Sequence, residues 1–133
     1  MSEDETIERG RELAAQLQRP CVILLIGNLG AGKTTLAKGI VEGLGAAAAD
    51  EVSSPTFPLI HEYGNEVYHV DLYRLEHAKE VENLGLDDII ERHSVVLIEW
   101  GERFPQLWPR KRLEIHLTGS GESRELTVIQ KAG

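Results

Sequence analysis

Ile7, Leu13, Ala14 and Leu17 recur at helical spacing, so residues from about Thr6 to Gln18 are expected to form an amphipathic helix stopped by Pro20. Cys21 to Ile26 is a short, continuous apolar run with β-branched residues, the pattern of a strand buried on both faces. Helix is expected again from Thr34 to Leu44, closed by Gly45. Gly64-Asn65 separates Pro58–Tyr63 from Glu66–Val70, which reads as a hairpin with Asp71 at the end of its second strand. Two short helices, Ala78–Asn83 and Leu86–Arg92, precede a second buried strand, Ser94–Ile98, that ends at Glu99. Alternation at Leu113, Ile115 and Leu117, then at Leu126 and Val128, adds two late strands. Strands interleaved with helices imply a three-layer α/β sandwich around a sheet of mixed direction, with its ligand beyond the strand ends.

Length and charge narrow this picture. A chain of 133 residues buries roughly two-thirds of its unfolded surface, enough for one domain spanning 1–133. With 41% hydrophobic and 27% charged residues, neither disorder nor a fibrous repeat is favoured. The longest apolar run falls far short of a membrane span and the acidic start lacks signal-peptide character, so a cytoplasmic protein is expected. A net charge of −8 argues against a chain that grips nucleic acid by itself, since such binding draws on cations facing phosphates. Arg110-Lys111-Arg112 is the one compact basic cluster, either a solvated loop or a patch for an acidic partner. Cys21 stands alone and is expected to be a buried, inert thiol. His61, His69, His77, His93 and His116 lack metal-ligand spacing and receive no ligand role.

Gly27, Gly32, Lys33 and Thr34 fit the pattern GxxxxGK[ST], directly after one expected strand and directly before an expected helix. Ordinary residue frequencies would produce this pattern in roughly one in a hundred or fewer chains of this length. Glycines let backbone N–H groups turn inward around phosphate oxygens, and the following helix aims its positive end at the same place. Lys33 adds a full charge at the β and γ positions, and Thr34 offers a hydroxyl to Mg²⁺.

Val95 to Glu99 has the form of a Walker B strand that delivers one carboxylate to the metal side of the phosphates. Asp71, at another strand end, has two readings: it orients water or takes a proton near the γ-phosphate, or it caps the following turn. Ser53 to Phe57 occupies the position of a switch segment, although serine and proline are also ordinary loop residues.

These segments together resemble one family. Gly27-Asn28-Leu29-Gly30-Ala31-Gly32-Lys33-Thr34-Thr35, Ser54-Pro55-Thr56-Phe57, His69-Val70-Asp71-Leu72-Tyr73-Arg74-Leu75, Ile98-Glu99-Trp100 and Gly121-Glu122-Ser123-Arg124 look like the TsaE (YjeE) family, in matching order over nearly the whole chain. The resemblance implies a P-loop NTPase-like fold. It also implies the ATPase component of the bacterial machinery that forms N6-threonylcarbamoyladenosine at position 37 of tRNAs reading ANN codons. Partners would be TsaB and TsaD, with tRNA met only through the complex, and ATP and Mg²⁺ as cofactors. By the same resemblance Gly30, Ala31, Gly32, Lys33, Thr34 and Thr35 bind the nucleotide, and Thr6 and Arg124 flank its base. Thr34 and Glu99 serve the metal, Lys33, Asp71 and Glu99 serve hydrolysis, and Trp100 lies near the nucleotide or a partner, although a bulky residue after a strand is as often core packing. Asn28 stands where the family usually carries an acid, and Arg110-Lys111-Arg112 where an acid is common; both bear on partner contact or loop geometry rather than on ATP.

Other classes use a P-loop. A small-molecule kinase needs an acceptor pocket and usually an arginine-bearing lid, for which the short stretch after Glu99 leaves little room. No NKxD segment is present to read guanine. A nucleotide sensor without turnover would keep the loop but have no need of Asp71 and Glu99.

Overall fold

The computed structural model describes residues 1–28, 32–53, 59–119 and 123–132. Gly30, Ala31, the segment Ser54 to Phe57, Gly121 and Glu122 lie outside the described residues. The elements are α1 (Glu3–Ala14), β1 (Cys21–Ile26), α2 (Lys33–Gly43), β2 (Ile60–Tyr63), β3 (Val67–Asp71), α3 (Ala78–Glu82), α4 (Leu86–Ile90), β4 (Val95–Glu99), β5 (Arg112–Thr118) and β6 (Glu125–Lys131). The six strands form one sheet in the order β2-β3-β4-β1-β5-β6. β1 pairs in parallel with β4 and β5, β3 in parallel with β4, and the outer strands β2 and β6 run antiparallel to their neighbours. This is the mixed sheet the hydrophobic pattern implies.

Strand parity sorts the core into two halves. Ile23, Leu25, Val67, Val95, Leu97, Ile115 and Leu117 pack with Leu36, Ala37, Ile40 and Val41 of α2 and with Ala14 of α1. Val22, Leu24, Tyr68, Val70, Val96 and Ile98 point the other way, onto Val81, Leu86, Phe104 and Trp108. β4 is buried along its whole length, as the continuous run Val95–Ile98 requires.

The differences from expectation lie at element ends. α1 begins at Glu3 rather than Thr6, because Ser2 and Glu5 form a reciprocal capping box that satisfies the first-turn N–H groups. It stops at Ala14 rather than Gln18: Gln16 N–H bonds to Leu13 O at 3.0 Å and Leu17 N–H to Ala14 O at 3.3 Å, tightening the last turn before the chain enters β1. Leu17 still packs on the core from outside the helix. In the hairpin the left-handed residues are Asn65 (φ 64°) and Glu66 (φ 57°), one position later than Gly64-Asn65.

Candidate functional site

The carboxyl ends of β1, β3 and β4 meet at one edge of the sheet, where the chain after β1 runs toward α2. Gly32 caps α2 with φ 102°, a backbone conformation open to glycine and costly for other residues, and its carbonyl accepts the N–H of Leu36 at 2.9 Å. Lys33, Thr34 and Thr35 therefore form the first turn of a helix whose N–H groups lack intrahelical acceptors.

Lys33 is buried, 5% exposed. Its ammonium donates to Gly27 O at 2.6 Å and lies 3.5 Å from the centre of the Trp100 ring. Burial holds its pKa below the usual lysine value, partly offset by the charges of Glu99, Glu102 and Asp71. The Thr34 hydroxyl donates to Glu99 Oε2 at 3.0 Å, so the helix after the glycine loop and the end of the second buried strand touch directly. Glu99 is itself only 3% exposed.

Asp71 sits opposite Glu99 in the β3–β4 register. Its Oδ1 accepts the N–H of Tyr73 at 2.9 Å, so it caps the turn while standing beside Glu99. The geometry accommodates both readings of this residue. Leu72 N–H bonds to Glu99 O at 3.0 Å and extends the strand pairing past Asp71.

Thr6 and Arg124, 118 positions apart, come together beside α2: Arg124 Nη1 donates to the Thr6 hydroxyl at 3.3 Å. Thr6 in turn donates to Ser2 O at 2.8 Å. The Arg124 guanidinium lies over Gly32, 3.1 Å from where a β-carbon would stand, and its buried Nε has no hydrogen-bond partner among the described residues. A β-carbon at position 32 would thus press on the arginine, whose side chain would have to shift by a few tenths of an ångström.

Two participants were not assigned a place at the site from sequence. His69 is fully buried, with Nε2 2.6 Å from Glu99 Oε2. Its signal was the alternation of β3, since residues 69 and 71 share a face. Arg103 places its guanidinium 4.8 Å from the Trp100 ring and 5.4 Å from Tyr73, and donates to Tyr73 O at 2.7 Å. Nothing in the spacing announces it, because the contact depends on Trp100 adopting φ 67° and starting a short 3₁₀ turn. Trp100 lies against Lys33 and Tyr73 rather than serving only as core packing.

The basic cluster is elsewhere. Arg112 begins β5, at the opposite end of the parallel strands from the glycine loop, where its guanidinium pairs with Glu114 at 2.9 Å. A groove of about 750 Å³ opens there, lined in part by Leu17, Arg19, Cys21, Lys111 and Arg112. Ligands of open α/β sheets occupy the carboxyl ends of strands, which sets this groove apart from the site.

A parallel sheet core with helices on both faces, and a glycine-capped helix after its central strand, defines a P-loop NTPase-like fold. Residues 1–126 match the family model described as threonylcarbamoyl adenosine biosynthesis protein TsaE. The chain is 43% identical over 121 residues to a Bacillus subtilis tRNA threonylcarbamoyladenosine biosynthesis protein TsaE, covering 87% of this chain and 74% of that protein. A protein of the same name from Treponema pallidum is 35% identical over 130 residues, covering 96% of this chain and 95% of the relative. Among solved structures, a crystal structure of Bacillus subtilis YdiB superposes with a TM-score of 0.77 at 31% identity, over 100% of this chain and 82% of that one. The chain belongs to the TsaE family.

Proposed function

We propose that this protein is the ATP-binding and hydrolysing component of the system that forms threonylcarbamoyladenosine on tRNA, working in the cytoplasm with TsaB and TsaD and meeting tRNA only through that complex. The observation that carries the ATPase part is the contact between Thr34 and Glu99, which joins the helix after the glycine loop to the Walker B strand. Family membership carries the pathway. Among the described residues no helix is long and apolar enough to cross a membrane.

The residues fit both cofactors. Lys33 is a buried cation that donates to a carbonyl and rests against an aromatic ring, with the charges of Glu99, Glu102 and Asp71 acting on it, and a phosphate would give it a further anion to pair with. The donors meeting at 3.0 Å are a hydroxyl and a carboxyl, the hard oxygens that Mg²⁺ prefers. Thr34 and Glu99 would hold the metal, and Gly30, Ala31, Gly32, Lys33, Thr34 and Thr35 would hold the phosphates, with Thr6 and Arg124 beside the base. Bound Mg²⁺ would neutralise charge on the phosphate oxygens. Lys33 takes part in hydrolysis by holding the β- and γ-phosphates, while one of Asp71 and Glu99, on adjacent strand ends, orients water and accepts its proton.

Phosphate release from Mg²⁺-ATP by the purified protein, alone and with TsaB, TsaD and tRNA, tests the proposal. Slow release alone, stimulation by the partners and abolition by Lys33→Ala are expected. Transfer of phosphate to a small hydroxyl compound faster than its release would favour a kinase, and partner-independent binding without turnover would favour a sensor.

A further inference from the structure

We infer that His69 is a positioning residue for Glu99, holding its carboxylate in the orientation that faces a metal bound with the nucleotide. The inference rests on the reading of Glu99 as a metal-side carboxylate. His69 and Glu99 project from neighbouring parallel strands, with Asp71 opposite Glu99 in the register and His69 two residues before it, on the same face. The ring is fully buried, and its Nε2 lies 2.6 Å from Oε2, the oxygen that also takes the Thr34 hydroxyl. With Glu99 ionised, both are donors to one oxygen. Among the described residues Nδ1 has no hydrogen-bond partner, and the ring's polar contact is the one to Glu99.

The two donors have different fates. A Thr34 hydroxyl that turns toward a cation offers its lone pairs there and relaxes its hold on Glu99. His69 points from the strand interior and has no such second task, so its bond fixes the carboxylate while Thr34 turns. An unanchored carboxylate would instead sample several rotamers, and each metal-binding event would bear the cost of ordering it. An apolar residue could fill the space but not supply the donor.

The test is the Mg²⁺ dependence of ATP affinity, measured by calorimetry from EDTA upward, with melting temperature as the folding control. His69→Leu removes the donor, His69→Gln places an amide N–H near the position of Nε2, and Glu99→Gln removes the charge itself. Expected for His69→Leu is wild-type affinity in EDTA and a Mg²⁺ midpoint raised roughly 10- to 100-fold, with His69→Gln returning it toward wild type. If His69→Leu does not fold, His69→Asn, polar but too short to reach Oε2, serves in its place with the same expectation. A wild-type midpoint in the donor-free variant overturns the inference, as does a loss of affinity in EDTA that the glutamine shares. If Glu99→Gln leaves the midpoint unmoved, the reading of Glu99 fails and this inference with it. If Glu99→Gln moves it and the histidine variants do not, the role of His69 alone is refuted.

Discussion

Replacing Gly39 by alanine asks whether the close crossing of α1 and α2 sets the position of the phosphate-binding helix. A β-carbon at Gly39 would stand 2.0 Å from Ile7 O, 2.8 Å from Ile7 C and 3.0 Å from Gly10 Cα. All three are backbone atoms, which have no rotamer to escape into, so the helices must part until 2.0 Å becomes the 3.4 Å of ordinary contact. The same substitution in an open helix interior would gain about 1 kcal/mol from propensity. Overpacking costs typically about 1–3 kcal/mol, and a backbone clash belongs at the upper end. The expected net loss is about 2 kcal/mol, which for a chain of this size lowers Tm by roughly 6–10 °C. Because α1 also carries Thr6, ATP affinity should fall with it. Thermal melting monitored by circular dichroism, followed by calorimetry with ATP below the transition, reads both effects. A Tm equal to or above wild type would refute the reasoning, since it would mean that the helices do not meet at Gly39.

Cys21 should be slow to alkylate at neutral pH: burial pushes its thiol from 9.0 up to about 11, so the rate with iodoacetamide should keep rising to about that pH. Because the folded value is raised, the associated stability is present below pH 9 and is lost as pH climbs through about 11, which alkaline melts of wild type and Cys21→Ser will compare. Arg110→Ala with Lys111→Ala should leave ATP affinity unchanged by calorimetry, because the neighbouring start of β5 lies at the far end of the sheet from the glycine loop. Burial raises the carboxyl of Glu114, but hydrogen bonds from Arg112 and His116 outweigh it and hold it below the usual 4.5. Its stabilisation is therefore present above pH 4.5 and lost as pH falls through the depressed value, and Arg112→Ala should reduce that acid-side loss in melts taken from pH 6 downward.

What could be read in advance followed from short-range rules. Continuous apolar runs marked β1 and β4, glycine spacing marked the phosphate loop, and an acid at the end of each of two strands marked Asp71 and Glu99. Ser2 and Glu5 stand at capping-box spacing, so the start of α1 at Glu3 is also legible in the sequence. His69 could have been found by asking which neighbours of Asp71 share its face. The cation-aromatic stack of Lys33, Trp100, Tyr73 and Arg103 could not, since it depends on a left-handed turn at Trp100 that propensity disfavours and tertiary packing imposes. The meeting of Thr6 with Arg124 is likewise a product of topology: Arg124 stands just before β6, the edge strand, where it reaches Thr6 of α1 and Gly32 at the start of α2, and only the resemblance to a family suggests it.

The central claim is that the loop from Gly27 to Thr34 binds ATP through Lys33, and equilibrium calorimetry with Mg²⁺-ATP on wild type and Lys33→Ala tests it most directly. The account predicts one site per chain in the wild type and affinity weakened by roughly 100-fold or more in the variant, as loss of a buried charge-assisted contact implies. Equal affinity in two equally folded proteins would contradict it.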